Sequence, residues 1–165
     1  MSSAFVKGDG DQHGDQLPER PIPPGPNYVT ARGRALLQEK VLELEAERRK
    51  LIAGDDSSGK QRRQVERDLR YYDVRLRNAV VVNPSKQEPG VIRFGARIEA
   101  RCADAEIHCF TIVGEDEADA SAGTVSWSSP ISEAVLGAKV GDTVEWKRPA
   151  GNSTLEILKV EYPQE

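Results

Sequence analysis

Six residues, Gly54-Asp-Asp-Ser-Ser-Gly59, separate two proline-free stretches whose apolar residues recur in the same rhythm. Before the break, Leu37, Val41, Leu44 and Leu51 step by four, three and seven, with Arg48 on the same line. After it, Val65, Leu69, Tyr72, Leu76 and Ala79 step by four, three, four and three. This a/d spacing predicts two helices that each present one narrow apolar stripe. Two matched stripes joined by so short a break predict an antiparallel helical hairpin. Each arm should run roughly 20–24 residues, or about 30–36 Å at the α-helical rise. Thr30 is the candidate N-cap of the first helix, which spans "TARGRALLQEKVLELEAERRKLIA". Gly54 is placed to end that helix in the left-handed conformation, and Asp56, Ser57 or Ser58 to cap the next. Such a hairpin buries little by itself and needs a base packed on something else.

The rest of the chain differs in kind. Residues 1–27 contain "GDGDQHGDQ" and "PERPIPPGP", polar and proline-rich with no apolar period, and predict a disordered tail. The hairpin occupies 28–82. "NPSKQEPG" at 83–90, with Pro84 and Pro89, reads as a linker. From residue 91 to 165 the pattern is strand-like. Ile92, Phe94, Ala96, Ile98 and Ala100 alternate, as do Ile107, Cys109, Thr111 and Val113 against Phe110 and Ile112. "SSPISEAVLG" predicts one short helix, with Ser129 as N-cap, Pro130 in its first turn and Gly137 ending it. "DTVEW" and "STLEILKVEY" predict a closing hairpin. The fold class is α+β: a helical hairpin followed by a small antiparallel sheet with one helix.

Charge divides the chain the same way. Residues 30–80 carry thirteen basic and nine acidic groups, and residues 81–165 carry eight and fourteen, within an overall net charge of −4. The basic middle fits an anionic partner or a solvated helix surface. Arg62, Arg63, Arg67 and Arg70 form a stripe on the second helix, open to nucleic acid, to an acidic surface or to solvent alone. Tyr71 and Tyr72 beside it offer a stacking platform for bases, although Tyr72 lies on the apolar stripe and fits the core better. An acidic C-terminal part argues against chromosomal DNA binding. No apolar run reaches the length needed to span a bilayer, and "MSSAFVKGDG" has no secretory h-region. The expectation is a cytoplasmic protein whose cysteines, Cys102 and Cys109, are buried thiols rather than a disulfide.

These features resemble one family. "YVTARGRALLQEKVLEL" is similar to the opening helix of the GreA/GreB transcript cleavage factors, and "RLRNAVVV" to the end of their second helix. "GVIRFGARIEA" resembles their first strand and "LEILKVEY" their last. The block "FTIVGEDEADASAGTVSWSSPISEAVLGAKVGDTVEW" resembles their most distinctive segment. The resemblance covers about residues 28–162. It implies a coiled-coil hairpin entering the secondary channel of bacterial RNA polymerase, and an FKBP-like domain docking at the channel rim, one factor per channel. In that family acidic residues at the hairpin tip help hold the second Mg²⁺ of the polymerase, which then hydrolyses backtracked RNA. Here those roles fall to Asp55 and Asp56, with no cofactor of the factor's own and nucleic acid met only inside the elongation complex. The implied docking edge is Asp116, Glu117, Asp119, Ser129, Pro130 and Ile131, whose other reading is an acidic turn beside a helix cap.

The tip departs from the family. Gly54-Asp55 keeps the family's Gly-Asp pair, but Ser58 stands where a Glu is expected, and the following Asn-Ala-Asp/Glu-Tyr has no counterpart. The arms are shorter by about two helical turns, or roughly 10–15 Å. A non-cleaving channel binder, regulating polymerase or competing with Gre factors, is therefore the alternative reading. A prolyl isomerase, suggested by an FKBP-like fold, fits poorly because Phe94, Phe110, Trp127 and Trp146 are scattered.

Overall fold

The computed structural model describes residues 17–54 and 59–163. A short strand β1 (Asn27–Val29) leads into helix α1 (Ala31–Ala53), and α2 (Lys60–Arg77) returns to strand β2 (Ala79–Val81). The helices run antiparallel. Near the tip, the Gln61 amide donates to Glu47 across 3.2 Å. At the base, the Asn27 side-chain amide donates to the Arg75 carbonyl across 2.7 Å. Leu37, Leu44 and Val65 are buried on the stripe, while Val41, Leu51, Leu69, Tyr72 and Leu76 are half-buried.

Thr30 caps α1 as expected, its hydroxyl accepting from the Gly33 amide at 2.8 Å. Gly54 does not take the left-handed conformation: its φ of −96° and ψ of −179° are extended. The left-handed residue is Gly59, with φ of 61°, and it precedes α2 without a side-chain cap. The alternative caps Asp56, Ser57 and Ser58 lie outside the described residues. The second stripe stops one step early. Ala79 belongs to β2, which pairs in parallel with β1, Asn27 opposite Ala79 and Val29 opposite Val81. The β-branched run Val80-Val81-Val82 favours a strand over a further helical turn.

The tail is not free up to residue 27. From Leu17 onward it contains no helix, yet Glu19 pairs with Arg70 and Arg20 with Asp68, laying the segment on α2. A proline-rich segment loses little backbone entropy on docking, so a few contacts can hold it. The linker is also structured. Pro84–Lys86 form a 3-10 turn, and Pro84 is buried against Gly95.

Beyond it lies a curled, mostly antiparallel five-stranded sheet. Its strands are β3 (Arg97–Cys102), β4 (Ile107–Val113), β5 (Thr124–Ser126), β6 (Thr143–Trp146) and β7 (Ser153–Glu161), in the order β5-β4-β3-β7-β6. One pairing breaks the expected pattern: β5 runs parallel to β4. The alternation of Ile92 through Ala100 holds as burial, since all five named residues are inside, but the strand itself begins only at Arg97. These residues, with Phe110, Ile112, Leu155 and Ile157, form the core against helix α3 (Pro130–Val135), which contributes Val135. Cys102 is buried, but Cys109 is exposed on β4, and both are free thiols. Cys109 follows the parity of Ile107, on the face away from Phe110 and Ile112.

Candidate functional site

The turn Glu115-Asp116-Glu117, which follows β4, joins the sheet to the hairpin. Arg75 is the centre of this junction, with only 2% of its side chain exposed. Its Nε donates to Asp116 Oδ2 at 2.6 Å and its Nη2 to Glu115 Oε2 at 2.7 Å. Tyr71, one turn earlier on α2, donates its hydroxyl to the other Asp116 oxygen at 2.7 Å. Residues 71 and 75 stand four apart, so both project from one helix face. On α1's side, the Thr30 hydroxyl that caps the helix also donates to Glu117 Oε2 at 2.6 Å. Glu115 reaches the other way and accepts from the Ser128 hydroxyl at 2.9 Å, just ahead of α3. One acidic turn thus ties both helices of the hairpin to the approach of α3.

The electrostatics favour this closure. Burial opposes the Arg75 charge, but the hydrogen bond and charge of Asp116, together with Tyr71 and Glu115, more than offset it, so its pKa lies above the ordinary value. Burial, and next the bond to Asp116, push Tyr71 up to about 12. A buried ion pair contributes little net stability, yet losing one member strands a charge, so it enforces one arrangement of the parts.

Two expected docking residues are thereby engaged inside the molecule: Asp116 by Arg75 and Tyr71, and Glu117 by Thr30. The other four lie further along the same edge. Asp119 is exposed and caps the 3-10 turn Ala120–Ala122, accepting from the Ser121 hydroxyl at 2.6 Å and its amide at 2.9 Å. These bonds hold its carboxyl below the ordinary value. Ser129 caps α3, accepting from the Ser132 amide at 3.4 Å. Pro130 is exposed in the first turn, and Ile131 is half-buried against the core.

The arginine stripe is divided. Arg62 lies 3.8 Å from Glu66. Arg67 is largely covered and 3.4 Å from Asp68. Arg63, Arg67 and Arg70 line a shallow hollow with Leu17, Glu19 and Glu66. Arg70 donates two hydrogen bonds to Glu19, at 2.6 and 3.2 Å. Asp55 and Asp56 lie outside the described residues. Among the described residues, no group of three or more His, Cys, Asp or Glu could hold a metal ion. Nor is any described helix long and apolar enough to cross a membrane.

Arg75 went unnoticed in the sequence, and Tyr71 stood out only as a stacking surface beside Tyr72. Arg75 sits in a basic stretch where every arginine looks solvated, and its partners are 40 and 41 residues away. The one usable signal is the spacing of 71 and 75, off the hairpin stripe.

Residues 86–162 match the family described as "Transcription elongation factor, GreA/GreB, C-term". The transcription elongation factor GreB of Neisseria meningitidis is 33% identical over 153 residues, covering 82% of this chain and 94% of that protein. The transcription elongation factor GreA of Hyphomonas neptunium is 32% identical over 151 residues, covering 81% and 96%. Among solved structures, the prokaryotic transcription elongation factor GreA/GreB from Nitrosomonas europaea is similar at 25% identity. The match covers 82% of this chain and 99% of that one, with a TM-score of 0.41.

Proposed function

Because the chain belongs to the GreA/GreB family of transcription elongation factors, we propose that it binds bacterial RNA polymerase at the secondary channel and rescues backtracked complexes. The sheet domain, FKBP-like on this reading, docks at the rim through Asp119, Ser129, Pro130 and Ile131, with Asp116 and Glu117 behind them. The hairpin enters the channel as a coiled coil. Asp55 and Asp56 lend carboxylate oxygens to the second Mg²⁺ of the polymerase, which cleaves the 3′ end of the nascent RNA. The factor is an accessory and not itself an enzyme, acts as a monomer in the cytoplasm, and meets nucleic acid only within the complex.

The observation that carries this reading is the junction at Arg75. A tip delivered to a distant metal needs a shaft of fixed direction, and the buried ion pairs at the hairpin base supply that restraint. The shaft is about 35 Å along α1, from its 23 residues, and about 27 Å along α2, from its 18.

A second reading is favoured by the tip itself. Ser58 replaces the expected Glu, and Asp56 is an extra acid beside Asp55. If the shorter shaft leaves both carboxylates out of reach of the metal, the protein occupies the channel without stimulating cleavage and competes with other Gre factors.

A cleavage assay on a backtracked complex with labelled RNA separates the two. The first reading expects short 3′ fragments with the wild type and none above background with Asp55→Ala plus Asp56→Ala. Binding without fragments establishes the second reading. Failure to bind core polymerase sinks both.

A further inference from the structure

The segment from Leu17 to Arg20 lies on the arginine face of α2 and makes two different kinds of contact there. The Glu19 carboxylate takes both hydrogen bonds from Arg70. The Arg20 guanidinium carbon lies 3.9 Å from the centre of the Tyr71 ring and 4.9 Å from that of Tyr72, and its Nη1 lies 3.4 Å from Asp68. The two rings meet edge to face with centres 5.1 Å apart. An anionic oxygen on an arginine next to a planar cation on an aromatic ring is the contact pattern of a single-stranded nucleic acid, with phosphate and base in the same places.

We propose that Leu17–Arg20 is an intramolecular competitor that covers a single-strand-binding face on α2, formed by Arg67, Arg70 and the faces of Tyr71 and Tyr72. The inference rests on the reading of the arginine stripe above: the face meets RNA within the elongation complex, and the isolated chain serves to read its intrinsic affinity. The cover is held weakly enough to leave. Glu19 and Arg70 are both largely exposed, with 62% and 56% of their side chains accessible. Such a pair contributes little and is screened by salt. The contact of Arg20 with the rings adds a modest cation–π attraction. The face beneath is not symmetric in charge. Arg67 has a buried Nε with no hydrogen-bond partner, and its Nη2 reaches only Asp68 among the ion pairs described. An extended polyanion offers several oxygens along the helix, where the cover offers the carboxylate of Glu19.

The test is fluorescence anisotropy of a labelled oligouridylate of about 12 nucleotides, a length matched to a single-strand site, with the full chain at low and moderate salt. The double substitution Glu19→Gln with Arg20→Ala removes one charge of each sign, so net charge is unchanged and bulk electrostatics cannot mimic the effect. It should bind at least about fivefold more tightly than wild type, the scale set by losing one exposed pair and one cation–π contact. Adding Arg70→Gln should return affinity to wild type or below. Glu19→Gln alone, at an exposed site, guards against misfolding and should shift affinity in the same direction. Glu88→Gln, the same charge change at an exposed position outside this face, should not. Equal or weaker binding by both Glu19 variants overturns the proposal. So does tighter binding that survives Arg70→Gln, or no measurable binding by any variant.

Discussion

Above pH 10 the Tyr71 hydroxyl becomes a probe of the junction. Its pKa is pushed up to about 12, first by burial and then by the hydrogen bond it donates to Asp116. An unfolded tyrosine titrates near 10, so between those values the folded chain holds a proton that the unfolded chain has lost. The contribution is therefore complete below pH 10 and disappears as pH rises towards 12, by up to about 2–3 kcal/mol. Urea unfolding at stepped pH should show wild type converging on Tyr71→Phe across that window, after leading it by about 1.5–3 kcal/mol at pH 8 for a bond to a charged acceptor. A constant gap from pH 8 to 12 would place the hydroxyl outside the junction. Little of this was legible beforehand. Tyr72 falls on the apolar stripe and could be read as core. Tyr71 and Arg75 lie off it, and only the fold brings residues 115 and 116 to them.

At the scale of elements, the hairpin was readable because its stripe is local, set by residues three and four apart. The sheet face was readable for the same reason, from alternation. What escaped is non-local. The β1–β2 pair joins residues about fifty apart, and neither "NYV" nor "AVV" is long enough to announce a strand. The parallel placement of β5 depends on the path through the acidic turn rather than on "TVS" itself. Gly114 shows how closely these elements are fitted. A Cβ added there would stand 2.8 Å from the Tyr28 carbonyl oxygen, a backbone atom of the β1 strand. The glycine of the "IVG" motif is therefore needed for β1 to lie across the end of β4. Gly114→Ala should cost about 1–3 kcal/mol, as overpacking does. Amide exchange should quicken at Val82, whose N–H bonds the Val29 carbonyl, before it does in β3 and β7. Unchanged exchange at Val82 would mean that the strand pair does not depend on this approach.

For the whole molecule, the division of the acidic edge makes a kinetic prediction. Asp116 and Glu117 face the hairpin, while Asp119 is exposed and bonded only within its own turn and to Thr124. On the proposed reading, the outward group sets how tightly the factor docks and the inward group sets where the tip points. Asp119→Ala should then raise the factor concentration that gives half-maximal cleavage by about three- to tenfold, the cost of a moderate interface residue. The maximal rate should hold. Tyr71→Phe should do the reverse, lowering the maximal rate by about three- to tenfold at saturating factor. A shaft freed at its base spends less time with its carboxylates in reach of the metal, and small displacements are expensive in catalysis. Half-saturation should barely move, because nothing at the rim has changed. Measured side by side, the two variants should cross, each shifting the parameter that the other leaves alone. If both shift the same parameter, the acidic edge is a single surface and the junction at Arg75 does not aim the tip. If the protein proves to be a non-cleaving channel binder, the comparison moves to competition against a cleaving Gre factor. There Asp119→Ala should weaken inhibition and Tyr71→Phe should leave the concentration dependence intact, since occupancy at the rim depends on docking alone.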